Sequence, residues 1–369
     1  MKYNNPITLN QADPWVYRHS DGFYYYTATY HAFDRLIIRK ASSLEELESA
    51  PEYTLGIADT GWMKNLYPHV WAPEIHFIEG AWYLFFTAGV EKNNVWSVRS
   101  HVAKCSDSDP LTGEWKLLGK IKATVPGGSE DIMTCFNLDG TAFEVDGQWY
   151  YTWAQYVYKD GPFDEVKGGS CFTLHGKSYV NGADNNGWSC IFIGKTNPAD
   201  FTKVTDAAII VVPEYGWEYG TETFEFRGGH YEHNSGNVNV NEGPAILKRN
   251  GKVFIAYSAS ACDEAYCLGL LTAEKDSDLT KMTSWKKSPV PVFTTSIANS
   301  VYGPGHCSFT TDKDGKDLIV YHARNYYGLY TGGAIYSTTK DGLFDPHRSA
   351  RVKEIEWKAD GTPDFGEAE

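Results

Sequence analysis

Five recurrences of one phrase, most of them spaced by roughly 60 residues, and an almost complete lack of helical periodicity predict an all-β chain folded as a five-bladed β-propeller. In every copy a short polar or acidic opening leads through a tight turn into a run of aromatic and β-branched residues. Each copy reads as two antiparallel strands joined at an Asp-Gly, Glu-Gly or Asn-Gly turn, because these residues tolerate the positive φ of a two-residue hairpin. Hairpins of a β-sandwich or jelly roll are the plainer alternative. A fixed period with an acid near the same place in four of the five copies favours the radial array.

The first copy, Ala12-Asp13-Pro14-Trp15-Val16, turns at Asp21-Gly22 into Phe23-Tyr24-Tyr25-Tyr26-Thr27. The second, Trp71-Ala72-Pro73-Glu74-Ile75, turns at Glu79-Gly80 into Trp82-Tyr83-Leu84-Phe85-Phe86-Thr87. The third, Leu138-Asp139-Gly140-Thr141-Ala142-Phe143, turns at Asp146-Gly147 into Gln148-Trp149-Tyr150-Tyr151-Thr152-Trp153. The fourth runs from Asn241-Glu242-Gly243-Pro244-Ala245 through Asn250-Gly251, and the fifth from Tyr302-Gly303-Pro304-Gly305-His306 through Asp314-Gly315. Apolar or alternating stretches at 34–43, 97–106, 188–196, 267–273 and 332–338 are expected as further strands of the same five blades. Only Leu44-Glu45-Glu46-Leu47-Glu48 suggests a turn or two of helix, with Ser42 or Ser43 as its N-cap. The long interval between the third and fourth copies carries its surplus at 160–186 and 214–237, which are expected as loops over one face, where function concentrates on such scaffolds.

The repeats begin near residues 12, 71, 138, 241 and 302 with no linker-like break, so residues 1–369 are expected to form a single catalytic domain. The formal net charge of −14 and the absence of basic runs argue against nucleic acid or anionic membrane as partners. No apolar segment approaches the roughly 20 residues needed to span a bilayer. Seven cysteines without zinc-like spacing favour reduced thiols and a cytoplasmic setting, with a secreted chain whose signal peptide has been removed as the alternative. Cys262 and Cys267 are near enough in sequence to pair across a hairpin.

Four copies carry a carboxylate at nearly the same place, Asp13, Glu74, Asp139 and Glu242, and the fifth carries His306. Inner strands of a propeller face its axis, so these side chains are expected at one funnel. Carboxylates gathered in a partly enclosed cavity must be hydrogen-bonded, share protons or bind a cation, since burial and like charge both oppose ionisation. Taken singly, each acid could instead serve to turn the chain before Pro14, Pro73 or Pro244. Taken together, with Trp15, Trp71 and Phe143 beside them as candidate sugar platforms, they suit glycoside hydrolysis, which needs one protonated acid and one ionised carboxylate on opposite faces of the bond.

These phrases resemble the family 43 glycoside hydrolases over essentially the whole chain. The resemblance implies a five-bladed propeller that inverts the anomeric centre, with Asp13 as general base, Asp139 as the acid that tunes and orients its neighbour, and Glu242 as general acid. It places Glu74 in a segment lining the pocket and His306 at the propeller axis, and it brings the loop at Phe33-Asp34-Arg35 towards the pocket. No cofactor is implied for the chemistry, although a structural calcium ion at the axis, reached by His306 through water, is raised by the resemblance. Arg324 is a candidate to hydrogen-bond a sugar hydroxyl or Asp139, with a surface ion pair as the plain alternative. The phrases around Asp13, Asp34 and Trp71-Ala72-Pro73-Glu74-Ile75-His76 look most like those of exo-acting α-L-arabinofuranosidases, which would make arabinose- or xylose-containing saccharides the partners. A β-D-xylosidase or endo-α-1,5-L-arabinanase of the same family, and a noncatalytic sugar-binding propeller, are the competing readings.

Overall fold

A computed structural model describes residues 3–159, 171–174, 177–181, 187–218, 224–226, 229–231, 239–331, 334–336 and 342–369. It is all-β, with five blades in chain order. Blade one pairs Gln11–Arg18, Tyr24–Tyr30, Arg35–Ala41 and Glu52–Ile57 as successive antiparallel neighbours. Blade two does the same with Tyr67–Ile78, Ala81–Gly89, Val98–Cys105 and Trp115–Lys120. Blade three is built on Asn137–Val145, Gln148–Lys159, Gly187–Thr196 and Lys203–Val211, and blade four on Asn241–Arg249, Lys252–Ala259, Cys267–Glu274 and Lys286–Lys287. Blade five contains Tyr302–Thr311, Asp317–Arg324 and Ser349–Glu354. The first strands of neighbouring blades touch one another around a closed ring.

Closure is made by the N-terminal segment. Ile7 N–H donates to Ala350 O at 2.7 Å, Thr8 bridges Ala350, and the Asn5 side chain bonds both the N–H and the carbonyl of Val352 at 2.9 Å. The chain's beginning thus lies along the third strand of its last blade, and no blade edge there is left bare.

Alternation along the second strand of each blade explains the packing, because successive side chains leave a strand on opposite faces. Tyr24 and Tyr26 pack towards blade five with Leu318, Val320 and Val352, whereas Tyr25 packs towards blade two with Trp82, Leu84 and Phe86. Tyr83 and Phe85 point the other way, against Tyr151, Trp153 and Phe192 of blade three. Val253, Ile255 and Tyr257 meet blade three, and Phe254 and Ala256 meet blade five. Each of the five apolar clusters therefore lies between two adjacent blades, and the aromatic content of the hairpins is mostly inter-blade core.

The turns of blades two, three and four are of the expected kind, whereas Asp21-Gly22 and Asp314-Gly315 lie in longer connections, between the paired residues Arg18 and Tyr24 and Thr311 and Asp317, with positive φ at the glycine alone. Glu79-Gly80, Asp146-Gly147 and Asn250-Gly251 have positive φ at both central residues (48 and 81, 49 and 86, 50 and 77°), as a two-residue hairpin of matching twist requires. Leu44–Glu46 is a single 3-10 turn without a side-chain cap from Ser43; the Ser42 hydroxyl donates instead to Glu46 at 2.6 Å.

Two expectations are corrected. The third strand of blade five is Ser349–Glu354, paired with Asp317–Arg324, and not the stretch at 332–338; of that stretch, Ala334–Tyr336 forms a separate hairpin with Leu329–Thr331. Residues 160–186 and 214–237, expected as loops, lie largely outside the described residues, and what is described includes two short hairpins, Cys171–Leu174 with Lys177–Asn181 and Phe224–Phe226 with Gly229–Tyr231.

Candidate active site

The first strand of every blade carries the same irregularity. Its pairing slips between Ala12 and Trp15, Trp71 and Glu74, Leu138 and Thr141, Glu242 and Ala245, and Gly305 and Ser308. In each case two residues stand opposite one on the second strand, a β-bulge, and the first of the two has positive φ: Asp13 54°, Ala72 42°, Asp139 55°, Gly243 56° and His306 38°. A bulge re-aims side chains out of the pleat and stores local strain, and both are common at functional sites. Five equivalent bulges around one ring thus direct their residues to the axis.

A cavity of about 510 Å³ opens there, and Asp13, Asp139, Glu242 and His306 all line it. The residues just before the bulge, Trp71, Leu138 and Glu242, also line it. Residues past the bulge do not. Glu74 and Trp15 occupy the equivalent position immediately after it, which returns them to the ordinary pleat: Glu74 is buried with Oε2 3.1 Å from His76 Nε2, and the Trp15 indole donates to Ile75 O at 2.8 Å. The acids are therefore not in register as the sequence suggests. Asp13 and Asp139 are equivalent, Glu242 lies one position earlier, and Glu74 two later. Phe143, further along the same strand as Asp139, stacks on Tyr150 in the inter-blade core.

Three other residues nominated from the sequence also lie outside the lining. Phe33 is half-buried behind Trp71, edge-on at 6.1 Å, and Asp34 is paired with its neighbour Arg35 at 2.8 Å. Arg324 is 1% exposed and reaches neither the cavity nor the surface. Its guanidinium bonds Asp345 at 2.7 Å, Cys262 O at 2.7 Å and Gly342 O at 3.0 Å, so it braces two segments of the cavity wall from behind.

The cation at the site is Arg348, whose Nη1 lies 3.8 Å from Asp13 Oδ1. Asp13 is also held by the Thr29 hydroxyl, which donates to Oδ2 at 2.5 Å, and by His306 Nδ1 at 3.2 Å from Oδ1. Burial pushes the Asp13 carboxyl up, but His306, the contact with His322 and the Arg348 guanidinium outweigh it and hold the group well below the usual carboxylate range. His322 Nδ1 accepts the Asp13 backbone N–H at 3.0 Å and lies 3.3 Å from Asp13 Oδ1. Burial lowers both imidazoles, His322 to about 3, while the Arg348 guanidinium stays charged beside Asp13.

The other two acids are pushed the opposite way. Burial, then the charges of Glu242 and Asp13, raise Asp139 well above its ordinary value, while the Gly243 N–H opposes this from 3.1 Å. Burial and the charge of Asp13 raise Glu242 to about 7 against hydrogen bonds from Tyr266 and Cys262 and the charge of Arg348. Tyr266 donates to Glu242 Oε1 at 2.7 Å, and the Cys262 thiol lies 3.7 Å from the same oxygen. Asp139 and Glu242 titrate as an interacting pair that retains a proton where Asp13 has none.

Apolar walls enclose the acids: Trp71 and Phe344 on one side, and Trp96, Phe136 and Tyr156 on another, with Trp96 and Phe136 centroids 5.3 Å apart. Thr29, Tyr266, His322, Arg348, Trp96, Phe136, Tyr156 and Phe344 were not nominated from the sequence, whereas Trp71 was. The unnominated residues lie at the far ends of second strands, past the recurring run, or in loops and strand approaches outside it.

His306 Nδ1 faces Asp13 directly, and among the described residues no three His, Cys, Asp or Glu side chains are grouped to hold a metal. No helix among the described residues is long and apolar enough to cross a membrane.

Comparison with known proteins agrees with this geometry. The family described as Glycosyl hydrolases family 43 matches residues 3–363. An "Extracellular exo-alpha-(1->5)-L-arabinofuranosidase" of Streptomyces avermitilis is 38% identical over 99% of the chain and 63% of its own length. A protein of the same name from Streptomyces chartreusis is 36% identical over 88% of the chain and 83% of its own length. The crystal structure of an α-L-arabinofuranosidase from Lactobacillus brevis superposes with a TM-score of 0.76 at 35% identity, covering 99% of this chain and 97% of that one. The chain spans 63% of the length of three of its curated relatives, including the first.

These relatives overturn the cytoplasmic expectation, since two of them are extracellular by name. The cysteine argument failed for a physical reason. Cys105, Cys135, Cys190, Cys267 and Cys307 are buried as small apolar groups, and Cys262 and Cys267 form no disulfide with each other, so these thiols carry no imprint of the redox compartment. With three acids on bulges and strand starts of one ring, and with this match from end to end, the chain belongs to glycosyl hydrolase family 43.

Proposed function

We propose that the chain is an exo-acting α-L-arabinofuranosidase that releases terminal arabinofuranosyl residues from arabinan or arabinoxylan-derived saccharides with inversion. The observation that carries this reading is the convergence of Asp13, Asp139 and Glu242 on one cavity, where the surroundings lower the pKa of Asp13 and raise that of Glu242 to about 7. In the proposed reaction Asp13 takes a proton from a water beneath the anomeric carbon while Glu242 gives its proton to the departing glycosidic oxygen. Asp139, tied to Gly243, has a carboxyl whose pKa the Glu242 charge raises, so the two acids do not ionise independently. Trp71 and Leu138 supply apolar surface on which a pentose ring can rest. No cofactor takes part, and no step passes through an ion.

The sugar assignment is supported by the arabinofuranosidase names of the relatives and by the Lactobacillus brevis structure. It is tested by comparing hydrolysis of 4-nitrophenyl α-L-arabinofuranoside with that of the β-D-xyloside. Preference for the arabinoside is the expected result. Preference for the xyloside would keep the acids and replace the substrate, and turnover of neither, with binding to sugar retained, would make the chain a sugar-binding propeller.

A further inference from the structure

We infer that Tyr266, with Cys262 beside it, is a positioning residue that occupies Oε1 of Glu242 and thereby assigns the transferable proton to Oε2. This rests on the reading of Glu242 as the proton donor. A carboxylic acid has two oxygens and one proton, and an acid that donates to a leaving group must present the protonated oxygen each time. Tyr266 O–H is 2.7 Å from Oε1 and the Cys262 thiol is 3.7 Å from the same atom. A proton on Oε1 would face two donors, so the neutral acid is better placed with its proton on Oε2.

The phenol is built into this place. Tyr266 is 1% exposed and its ring lies parallel to His322, centroids 5.7 Å apart and planes 5° apart. A Cβ at Gly305 would sit 2.3 Å from the ring, so the fifth blade carries a glycine where the phenol passes. Burial and the charge of Glu242 push the phenol pKa well above its ordinary value, which keeps the hydroxyl a donor across the working pH range. Tyr266 therefore joins the two halves of the site: its hydroxyl holds Glu242, and its ring backs the imidazole that receives the Asp13 N–H.

Two consequences separate this role from mere packing. A donor to Oε1 stabilises the ionised carboxylate more than the neutral acid, so its removal raises the pKa of Glu242. Loss of orientation also slows proton donation most for leaving groups that need it most. The test is Tyr266→Phe, which keeps the ring and removes the hydroxyl, checked for folding by thermal melting. Titration of the Glu242 carboxyl is followed by infrared difference spectroscopy, with Glu242→Gln as the blank. The expected result is an upward move of about one pH unit, a tenfold change in proton affinity. On the activity side, kcat for an alkyl or oligosaccharide arabinoside should fall at least tenfold more than kcat for the 4-nitrophenyl arabinoside. An unmoved carboxyl titration, or equal losses on both substrates, would overturn the inference. The spectroscopic readout needs no turnover, so an inactive wild-type protein would refute the proposed function and leave this test intact.

Discussion

The backbone N–H of Gly243 donates to Oδ2 of Asp139 at 3.1 Å, so the acid of the third blade is tied to the bulge of the fourth. This one bond links the residue proposed to tune the acid to the peptide that follows the acid itself. Gly243 has φ of 56°, and a Cβ there would lie 3.2 Å from the His306 ring and from Ser258 Oγ. Both the backbone and the space around it call for glycine.

Gly243→Ala is expected to lower stability by roughly 1–2 kcal/mol, from a left-handed backbone forced on an L-residue and a crowded Cβ. It should lower kcat at least tenfold, because Glu242 and the Asp139 contact shift together. Thermal melting and steady-state kinetics on the same preparation check this; a variant that loses stability at unchanged kcat would show that the bond is structural only.

Arg348→Met removes the fixed positive charge 3.8 Å from Asp13. Asp13 must be ionised to act as base, and its carboxyl is held below the usual range in part by this guanidinium. Without it the carboxyl's pKa rises, so the acidic limb of the kcat/KM profile is expected to move to higher pH while the alkaline limb, set by Glu242, moves less. A profile displaced in neither limb would remove Arg348 from the site's electrostatics.

Glu242 should also leave a mark on stability. Its folded-state value, about 7, lies above the ordinary 4.5, so the folded protein binds this proton more tightly than the unfolded chain does. The stability it contributes is complete below about pH 4.5 and is lost as pH rises through 7. Glu242→Gln cannot ionise, so its advantage over the wild type is expected to grow between pH 5 and 8, on the order of 3 kcal/mol at about 1.4 kcal/mol per unit. Denaturant melts at the two pH values check this, and a constant difference would contradict it.

Much of the fold was legible because its determinants are local. The Asp-Gly, Glu-Gly and Asn-Gly turns and the alternation of Tyr24, Tyr25 and Tyr26 can be read a few residues at a time. The strand Ser349–Glu354 was missed because Arg351 and Lys353 alternate with Ala350 and Val352 just after a Pro-containing loop, and the segment reads as polar. Asp13, Asp139 and Glu242 were expected at the axis, where they line the cavity, because each sits beside a repeated phrase. Glu74, Trp15 and Phe143 were grouped with them because a bulge changes the facing of every later residue and leaves no trace in composition. Arg348 and His322 of blade five meet Asp13 of blade one only through ring closure, Tyr266 comes from a loop within the blade of Glu242, and the arginine one strand earlier, Arg324, is held by Asp345 inside the wall.

Trp96 is 62% exposed at the cavity rim, next to Phe136, beyond the acids. Trp96→Ala is expected to raise KM for arabino-oligosaccharides about five- to tenfold, from lost stacking worth on the order of 1 kcal/mol, with little change for the 4-nitrophenyl arabinoside. Equal KM changes on both would place Trp96 at the terminal sugar instead.

The most direct test of the central claim is the anomer formed first, followed by proton NMR during rapid hydrolysis of an α-L-arabinofuranoside. Attack by an Asp13-activated water opposite Glu242 inverts the centre, so β-L-arabinofuranose should appear first and mutarotate afterwards. First appearance of the α-anomer would mean a covalent intermediate and would contradict the assignment of Asp13 as base.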